Sequence, residues 1–258
     1  METLRITLVQ SKLHWEDPEA NRRAFSGRLA HLSGQTDLVV LPEMFSTGFS
    51  MQAAELAEPL EGPTMQWMLA RAKELNAVVT GSLIVEARRS YYNKLVWMPP
   101  DGTYRTYDKR HLFTLAGEDR YYSPGSRHLL VSCRGWTILP LICYDLRFPV
   151  WARNIQDYDL LLFVANWPER RITAWSTLLA ARAIENQCYV AGVNRTGADG
   201  NGVYHSGDSA LYDYAGRQLY RCTHQEDLFT AHLQLEPQRH FREKLAFLQD
   251  RDQFRIQN

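Results

Sequence analysis

The sequence predicts an α/β fold with mixed β-sheets, and two observations support that prediction. Short apolar runs that are typical of buried strands alternate with longer segments that carry a helical apolar stripe. Two further segments contain paired strands around turn residues, which indicates β-hairpins. Strands mixed with both helices and hairpins are typical of α/β proteins whose sheets combine parallel and antiparallel pairs.

The first elements follow from local patterns. The segment LRITLVQ (4–10) is predicted to be a strand. Asp17 and Pro18 suit the N-cap and first helical position, and the apolar stripe after them predicts a helix over 18–33. The short apolar run DLVVLPE (37–43) is typical of a buried parallel strand.

The same alternation continues along the chain. EGPTMQWMLARAKELN (61–76) opens with Gly-Pro and predicts a helix, and AVVTGSLIVE (77–86) predicts the next strand. YYNKLVWMPPDGTYRTYDK (91–109) contains two strands around Pro-Asp-Gly, which is a hairpin signal. The elements predicted in the second half are strands at 128–132, 136–142, 159–166, 188–194 and 228–235, helices at 147–157 and 174–187, and a hairpin at 205–222.

The chain shows no clear linker, repeat or low-complexity segment, which predicts a single domain over residues 1–258. Its last part, from about residue 235, is charged and carries Phe241, Leu245 and Leu248 at helical spacing. This spacing predicts an amphipathic terminal helix. Such a helix would pack either on its own subunit or, as an arm, across a sister subunit.

Composition argues against several classes of protein. Lys and Arg total 29 and Asp and Glu total 29, whereas a nucleic-acid surface normally shows a basic excess, so no nucleic-acid partner is expected. No apolar run approaches the roughly 18 residues of a membrane helix, and the first residues lack a secretory signal. A cytoplasmic protein without a membrane partner is therefore expected. The four cysteines form no C-x-x-C pair, and neither metal-ligand spacing nor a phosphate loop predicts a metal or cofactor.

Three reactive side chains lie at predicted strand ends: Glu43, Lys109 and Cys143. Chemistry in α/β folds gathers at such ends. One charged strand end is commonly just a solvated boundary, and most free cysteines are small buried hydrophobes. An acid, a base and a thiol at three strand ends together indicate a nucleophilic site.

The blocks LPEMFSTGF (41–49), YDKRHLF (107–113) and ICYDLRFP (142–149) closely resemble the three signature blocks of the nitrilase superfamily of carbon–nitrogen hydrolases. The resemblance extends over nearly the whole chain. It implies a four-layer α-β-β-α sandwich with two mixed β-sheets, and a homodimer or higher homo-oligomer. Within the superfamily, PEMFSTGFS (42–50) and HLFTLAGED (111–119) resemble the omega-amidases, which hydrolyse the terminal amide of 2-oxoglutaramate and related 2-oxo acid amides.

The resemblance also implies roles for individual residues. Cys143 would attack the amide carbon and form a thioester, a two-step route that suits a thiol. Glu43 would act as general base, and Lys109 would donate to the developing oxyanion together with the backbone N–H of Tyr144. Glu118 would orient Lys109. Water would complete the reaction, so no cofactor is implied.

Other positions concern the substrate. Trp167 and Phe113 would line its pocket, and Asp145 and Arg147 would brace the turn after Cys143. A substrate carboxylate would need a partner, and arginine suits this because its planar guanidinium group binds a carboxylate at two points. The sequence offers Arg147, Arg170, Arg171 and Arg195 for this task.

Two alternatives to omega-amidase action remain open at the level of sequence. The same three reactive residues would also serve a small-molecule nitrile, an N-carbamoyl compound or another linear amide. A binding protein that had lost catalysis would keep the fold, although it would usually have lost reactive residues that are present here.

Overall fold

The computed structural model describes residues 2–256, and within them the chain forms 13 strands and six α-helices. The strands are β1 (Thr3–Gln10), β2 (Leu38–Val40), β3 (Val78–Ala87), β4 (Ser90–Met98), β5 (Arg105–Asp108), β6 (Val131–Cys133), β7 (Trp136–Ile142), β8 (Leu160–Ala165), β9 (Tyr189–Asn194), β10 (Thr196–Ala198), β11 (Tyr204–Tyr212), β12 (Gln218–Thr223) and β13 (Asp227–Gln234). The helices are α1 (Pro18–Leu29), α2 (Ala53–Leu56), α3 (Pro63–Leu75), α4 (Pro149–Ala152), α5 (Ile172–Asn186) and α6 (Leu235–Lys244).

The first sheet contains six strands in the order β13-β1-β2-β3-β4-β5. β1, β2 and β3 pair in parallel, with Leu38 opposite both Ile6 and Val78. The remaining pairs are antiparallel, and β13 pairs with β1 along its whole length. This sheet is therefore mixed.

The second sheet contains seven strands. β7, β8 and β9 pair in parallel at its centre, and Ile142 at the end of β7 lies opposite Val164 of β8. β6 pairs antiparallel with β7, while β11 pairs antiparallel with β9, β10 and β12. The second sheet is mixed as well.

Helices cover the outer faces of both sheets, and the inner faces pack on each other. Phe25 of α1 and Met68 of α3 are buried together against the first sheet. Trp175 of α5 is buried against the second sheet, in a large cluster that also joins Ile6 of the first sheet to Ile138 of the second. The predicted four-layer α-β-β-α sandwich with two mixed sheets is confirmed.

The strand predicted over 37–43 is shorter than expected. It ends at Val40, so Glu43 lies in the turn beyond the strand and not at its last position. The backbone N–H of Leu41 still donates to the carbonyl of Thr80 on β3. Pro42 has no N–H to continue this ladder, which is why the strand stops there.

The helix after Cys143 also differs from the prediction, whereas the start of the terminal helix agrees with it. The helix predicted over 147–157 is only the short α4, because a 3-10 turn occupies Cys143–Arg147 before it. α6 begins at Leu235, close to the predicted start of the terminal helix. It packs on its own chain, since the side-chain amide of Gln238 donates to the carbonyl of Asp159.

Candidate active site

A cavity of about 600 Å³ opens where strands of both sheets end. Cys143 directly follows β7 and Asn166 directly follows β8, and because these strands are parallel their carboxyl ends meet at one edge. Glu43 comes from the turn after β2 in the facing sheet. The predicted catalytic and aromatic residues that line the cavity are Glu43, Lys109, Phe113, Cys143, Tyr144 and Trp167.

The backbone of Cys143 adopts an uncommon conformation, with φ of +44°. A non-glycine residue in the left-handed region stores strain and needs support from its surroundings. Asp145 supplies that support, because its carboxylate accepts hydrogen bonds from the N–H of Ile142 at 3.1 Å and the hydroxyl of Tyr107 at 2.7 Å. The thiol is therefore presented from a rigid strand-to-turn junction.

Asp145 braces this turn as the sequence predicted, but Arg147 does not. The Asp145 carboxylate also accepts the backbone N–H of His111 at 3.0 Å. The guanidinium group of Arg147 instead lies over the ring of Trp167, 5.0 Å from its centroid, and lines the cavity. The expected bracing role is thus confined to the carboxylate.

Lys109 is held between two carboxylates at the base of the cavity. Its Nζ lies 2.8 Å from Oε1 of Glu43, and 3.0 and 2.9 Å from the two carboxylate oxygens of Glu118. All three side chains are shielded from solvent. Because two carboxylates bind it, the buried ammonium group keeps a fixed orientation, which the side chain of a lysine on the surface would lack.

Asn93 ties the two carboxylates together. Its side-chain amide donates to Glu43 at 2.8 Å and to Glu118 at 3.2 Å. Its backbone carbonyl accepts the N–H of Lys109 at 3.0 Å. One asparagine on β4 therefore contacts all three charged residues.

Besides Lys109 and Asn93, Asn166 at the end of β8 also holds Glu43 in place. The backbone N–H of Asn166 donates to Oε2 of Glu43 at 2.8 Å, and the Asn166 side chain donates to the Glu43 carbonyl at 2.5 Å. Asn93 and Lys109 donate to Oε1 of Glu43 and Asn166 donates to Oε2, so both carboxylate oxygens act as acceptors. The acid is thereby oriented on the wall that also carries the thiol.

Burial and neighbouring charge set the protonation of this group. Burial raises the pKa of the Cys143 thiol well above its usual range, and the negative charge of Glu43 and a hydrogen bond with it raise that pKa further, against the opposing effect of Lys109. Burial alone would lower the pKa of Lys109, but the carboxylates of Glu118 and Glu43 outweigh it and the pKa is raised. The resting site therefore combines a neutral thiol with an ammonium group.

Glu118 lies behind Lys109 and does not line the cavity. It belongs to a 3-10 turn (Glu118–Arg120), and its Oε2 accepts the backbone N–H of Phe113 at 2.5 Å. Burial raises the pKa of Glu118, and Lys109 opposes that rise. Its position suits a residue that holds Lys109 and leaves no direct path to a molecule in the cavity.

Aromatic side chains form the walls beside the thiol. The rings of Phe113 and Tyr144 meet edge to face with centroids 5.0 Å apart. The indole N–H of Trp167 donates to the backbone carbonyl of Arg171 at 2.9 Å. The aromatic residues predicted from the sequence are therefore brought together around Cys143.

The four arginines that the sequence suggested as partners of a substrate carboxylate do not all lie at the cavity. Arg147, Arg170 and Arg171 line the cavity. Arg195 is buried outside it and donates to the carbonyl of Ala198 at 2.9 Å. Burial lowers the pKa of Arg195 to about 10.

Sequence reasoning did not identify Asn93 and Asn166 as site residues. Asn166 follows β8, so the strand-end criterion that found Cys143 would also have found it. Asn93 lies within β4, where a polar residue in an apolar strand was the only available signal. The other three cysteines, Cys133, Cys188 and Cys222, are buried outside the cavity as free thiols.

The described part of the chain offers neither a cluster of metal ligands nor a membrane-spanning helix. Residues 2–256 contain no group of three or more His, Cys, Asp and Glu side chains that could hold a metal ion. None of the helices in that range is long and apolar enough to cross a lipid bilayer.

Comparisons with known proteins agree with this geometry. The carbon–nitrogen hydrolase family model matches residues 5–243. The chain is 46% identical to the omega-amidase YafV of Escherichia coli K12 (99% of this chain, 100% of that protein) and 32% identical to the 2-oxoglutaramate amidase of Bacillus subtilis (95% and 96%). It superimposes with a TM-score of 0.98, at 44% identity and full coverage of both chains, on XC1258 of Xanthomonas campestris, a CN-hydrolase superfamily protein with an arsenic adduct in its active site. The resemblance seen in the sequence is confirmed, and this chain belongs to the carbon–nitrogen hydrolase family.

Proposed function

We propose that this protein is an omega-amidase that hydrolyses the terminal amide of 2-oxoglutaramate and related 2-oxo acid amides. The observation that carries the proposal is the convergence of the Cys143 thiol, the Glu43 carboxylate and the Lys109 ammonium group on one cavity. The omega-amidase and 2-oxoglutaramate amidase relatives, similar over nearly the whole chain, support the substrate class.

The first step is attack of the thiol on the amide carbon. Because burial and Glu43 keep Cys143 protonated at rest, a base must remove the proton as the sulfur attacks. Glu43 is the base, and the C–S bond forms as the carbonyl becomes an oxyanion. Lys109 and the backbone N–H of Tyr144 donate to that oxyanion, and removing one such donor typically costs about 2.7–4 kcal/mol.

The second step releases ammonia and then the acid. Glu43 returns its proton to the leaving nitrogen, the C–N bond breaks and a thioester remains on Cys143. Glu43 then takes a proton from water, whose oxygen attacks the thioester. As the C–S bond breaks, Glu43 returns that proton to the sulfur, so that the carboxylic acid is released and the Cys143 thiol and the Glu43 carboxylate are restored. Glu118 acts through Lys109, because it contacts the Nζ atom and does not line the cavity.

The main alternative function is hydrolysis of another carbon–nitrogen substrate by the same catalytic residues. A nitrile, an N-carbamoyl amino acid or a simple linear amide would use the same thiol and base. Ammonia release should be measured with 2-oxoglutaramate, with a short aliphatic nitrile and with an N-carbamoyl amino acid at equal concentrations. We expect 2-oxoglutaramate to give the largest kcat/KM. A larger kcat/KM for the nitrile or for the N-carbamoyl amino acid would instead assign the protein to that substrate class.

An inactive binding protein is the alternative of another class, and a cysteine variant tests it. Cys143→Ala should abolish amide turnover, while Cys133→Ala, an equally shielded cysteine outside the cavity, should retain it. Mass spectrometry of the quenched reaction should find the acyl group on the peptide that contains Cys143. Full turnover by Cys143→Ala would refute the assignment of Cys143 as the nucleophile.

A cytoplasmic location and a homodimer are part of the same proposal. The four cysteines are free thiols, which supports a reducing compartment. Ile184 of α5 is a large apolar side chain that is 58% exposed on the single chain, and a partner subunit that covered it would remove that apolar surface from water. Light scattering after gel filtration should give twice the mass of 29.9 kDa, and Ile184→Glu should shift it toward the monomer.

A further inference from the structure

One side of the cavity carries three positive charges without a carboxylate partner in residues 2–256. Arg147, Arg170 and Arg171 line it, and none of their guanidinium groups forms a salt bridge within that range. Lys109, the other cation on the cavity wall, differs because Glu43 and Glu118 both pair with it. The arginines therefore leave a positive charge that a bound molecule could balance.

Aromatic contacts hold two of these guanidinium groups in place. The central carbon of the Arg171 group lies 4.9 Å from the ring centroid of Phe113, and that of Arg147 lies 5.0 Å from the centroid of Trp167. The indole N–H of Trp167 also fixes the Arg171 backbone. A guanidinium group that stacks through its face keeps its edge N–H donors available for a planar anion.

Arg171 lies close enough to Arg170 and Arg147 to be repelled by both. Burial lowers the pKa of Arg171, and the charges of Arg170 and Arg147 lower it further, while Cys143 opposes them. Arg171 is thus within electrostatic reach of both arginines and of the reactive sulfur. A bound anion would relieve the repulsion, whereas a neutral ligand would not.

The acidic residues on the cavity wall are occupied locally. Glu16 accepts a hydrogen bond from the hydroxyl of Ser50. Asp199 accepts the backbone N–H groups of Asn201 at 2.8 Å and Val203 at 2.9 Å. The third acid on the wall, Glu43, pairs with Lys109. Because none of the three acids neutralises the arginines, the cavity is polarised, and an anion is favoured on the arginine side.

We propose that Arg171, with Arg147 and Arg170 beside it, binds a carboxylate at the end of the substrate opposite to its amide. The site therefore selects carboxylate-bearing linear amides over neutral ones. Arg171 is the principal residue, since its backbone and its guanidinium group are both held by the cavity wall, whereas Arg170 is exposed. This inference rests on the proposed amidase function, because the carboxylate contact would place the amide carbon at Cys143.

The test compares three substrates of equal chain length. 2-Oxoglutaramate carries a carboxylate and an oxo group, glutaramate carries the carboxylate alone, and pentanamide is neutral. We expect Arg171→Ala to lower kcat/KM for both carboxylates by about 10- to 100-fold, mainly through KM, because a hydrogen bond to a charged group is lost. Pentanamide turnover should change less than about threefold on the same scale.

Two further variants separate binding from structure. Arg171→Lys should restore part of the carboxylate preference, since it keeps the charge but not the two-point contact. Arg127→Ala, an exposed arginine outside the cavity, should leave all three substrates unaffected. An equal loss on charged and neutral substrates in Arg171→Ala would show a structural role and overturn the inference, as would a parent enzyme that prefers pentanamide.

A binding measurement distinguishes this inference from the amidase proposal. Alkylation of Cys143 by acrylamide is followed by mass spectrometry with and without 2-oxoglutarate. Protection in the parent that is lost in Arg171→Ala supports the carboxylate site even if no amide is hydrolysed. If 2-oxoglutarate gives no protection while 2-oxoglutaramate is hydrolysed, the carboxylate site is wrong and the amidase function stands.

Discussion

Lys109 and Glu118 form a fully buried ion pair in which Nζ lies 3.0 and 2.9 Å from the two carboxylate oxygens. Glu118→Ala leaves Lys109 paired with Glu43, but it removes the acceptor of the Phe113 N–H and of part of the buried ammonium group, at a cost of about 1–3 kcal/mol. We therefore expect Glu118→Ala to lower the free energy of unfolding by about 1–3 kcal/mol. Chemical denaturation measures it, and Glu61→Gln, an exposed position, serves as the control.

Glu118→Gln separates positioning from stability. The amide keeps the shape of the side chain and one acceptor, but it loses the charge that holds Lys109. If Glu118 acts only through Lys109, kcat should fall at least about tenfold with KM nearly unchanged, because the loss concerns the transition state. A variant that weakens KM and leaves kcat intact would place Glu118 in contact with the substrate instead.

Glu43→Gln should affect reactivity and acidity in opposite directions. The Glu43 charge and its hydrogen bond raise the pKa of the Cys143 thiol, so removing the charge should lower that pKa. Turnover should nevertheless fall by at least about 100-fold, because the base is gone. The pH dependence of Cys143 alkylation, read by mass spectrometry, gives the thiol pKa. A pKa that stays or rises in the variant would contradict the electrostatic account.

Asn93 provides a test in which protonation reverses the defect. Its amide donates to Glu43 and Glu118 at 2.8 and 3.2 Å, so Asn93→Asp would place a third carboxylate against both. At neutral pH this variant should be less active than Asn93→Ala. A buried carboxyl with anionic neighbours has a raised pKa and donates once protonated, so its activity relative to Asn93→Ala should recover from about pH 8 to pH 5. Parallel pH profiles for the two variants would rule out this contact as the cause.

His205 should make the protein less stable in mild acid. Burial, helped by the charge of Arg195, lowers the pKa of His205 to about 4, below the ordinary histidine pKa of about 6.5. Between these values the unfolded chain binds the proton and the folded one does not. The contribution of His205 to the free energy of unfolding is therefore fully present above about pH 6.5. It decreases by about 3 kcal/mol as the pH falls toward 4.

The measurement is the free energy of unfolding as a function of pH. His205→Gln should flatten the dependence across this window, while His31→Gln, at an exposed histidine, should not change it. An unchanged slope in His205→Gln would show that other groups cause the acid sensitivity.

The sequence was informative where chemistry coincides with the end of a strand. Lys109 and Cys143 directly follow β5 and β7, so the pattern of apolar runs placed them correctly. Asn93 was not predictable in this way. Its contact with Lys109 depends on the register that sets Lys94 of β4 opposite Asp108 of β5, and register is a property of the folded sheet.

The choice among arginines shows the same limit. Arg171 and Arg195 both lie shortly after the end of a strand of the second sheet. Only the packing around them distinguishes the two: Arg171 lies on the cavity wall against Phe113, whereas Arg195 is buried and donates to backbone carbonyls. The two arginines differ in their burial in the folded chain, and neither residue type nor spacing in the sequence indicates that difference.

The pairing of β1 with β13 has a consequence for how the molecule is made. Thr3 lies beside Gln234, so one of the earliest strands to leave the ribosome finds its neighbour 231 positions later. Until β13 emerges, β1, half of whose residues are apolar, has an unpaired edge, which is a hazard for misassociation. Completion of the first sheet must therefore wait until β13 has emerged, and a chain that stalls before residue 227 should depend on chaperones or proteolysis.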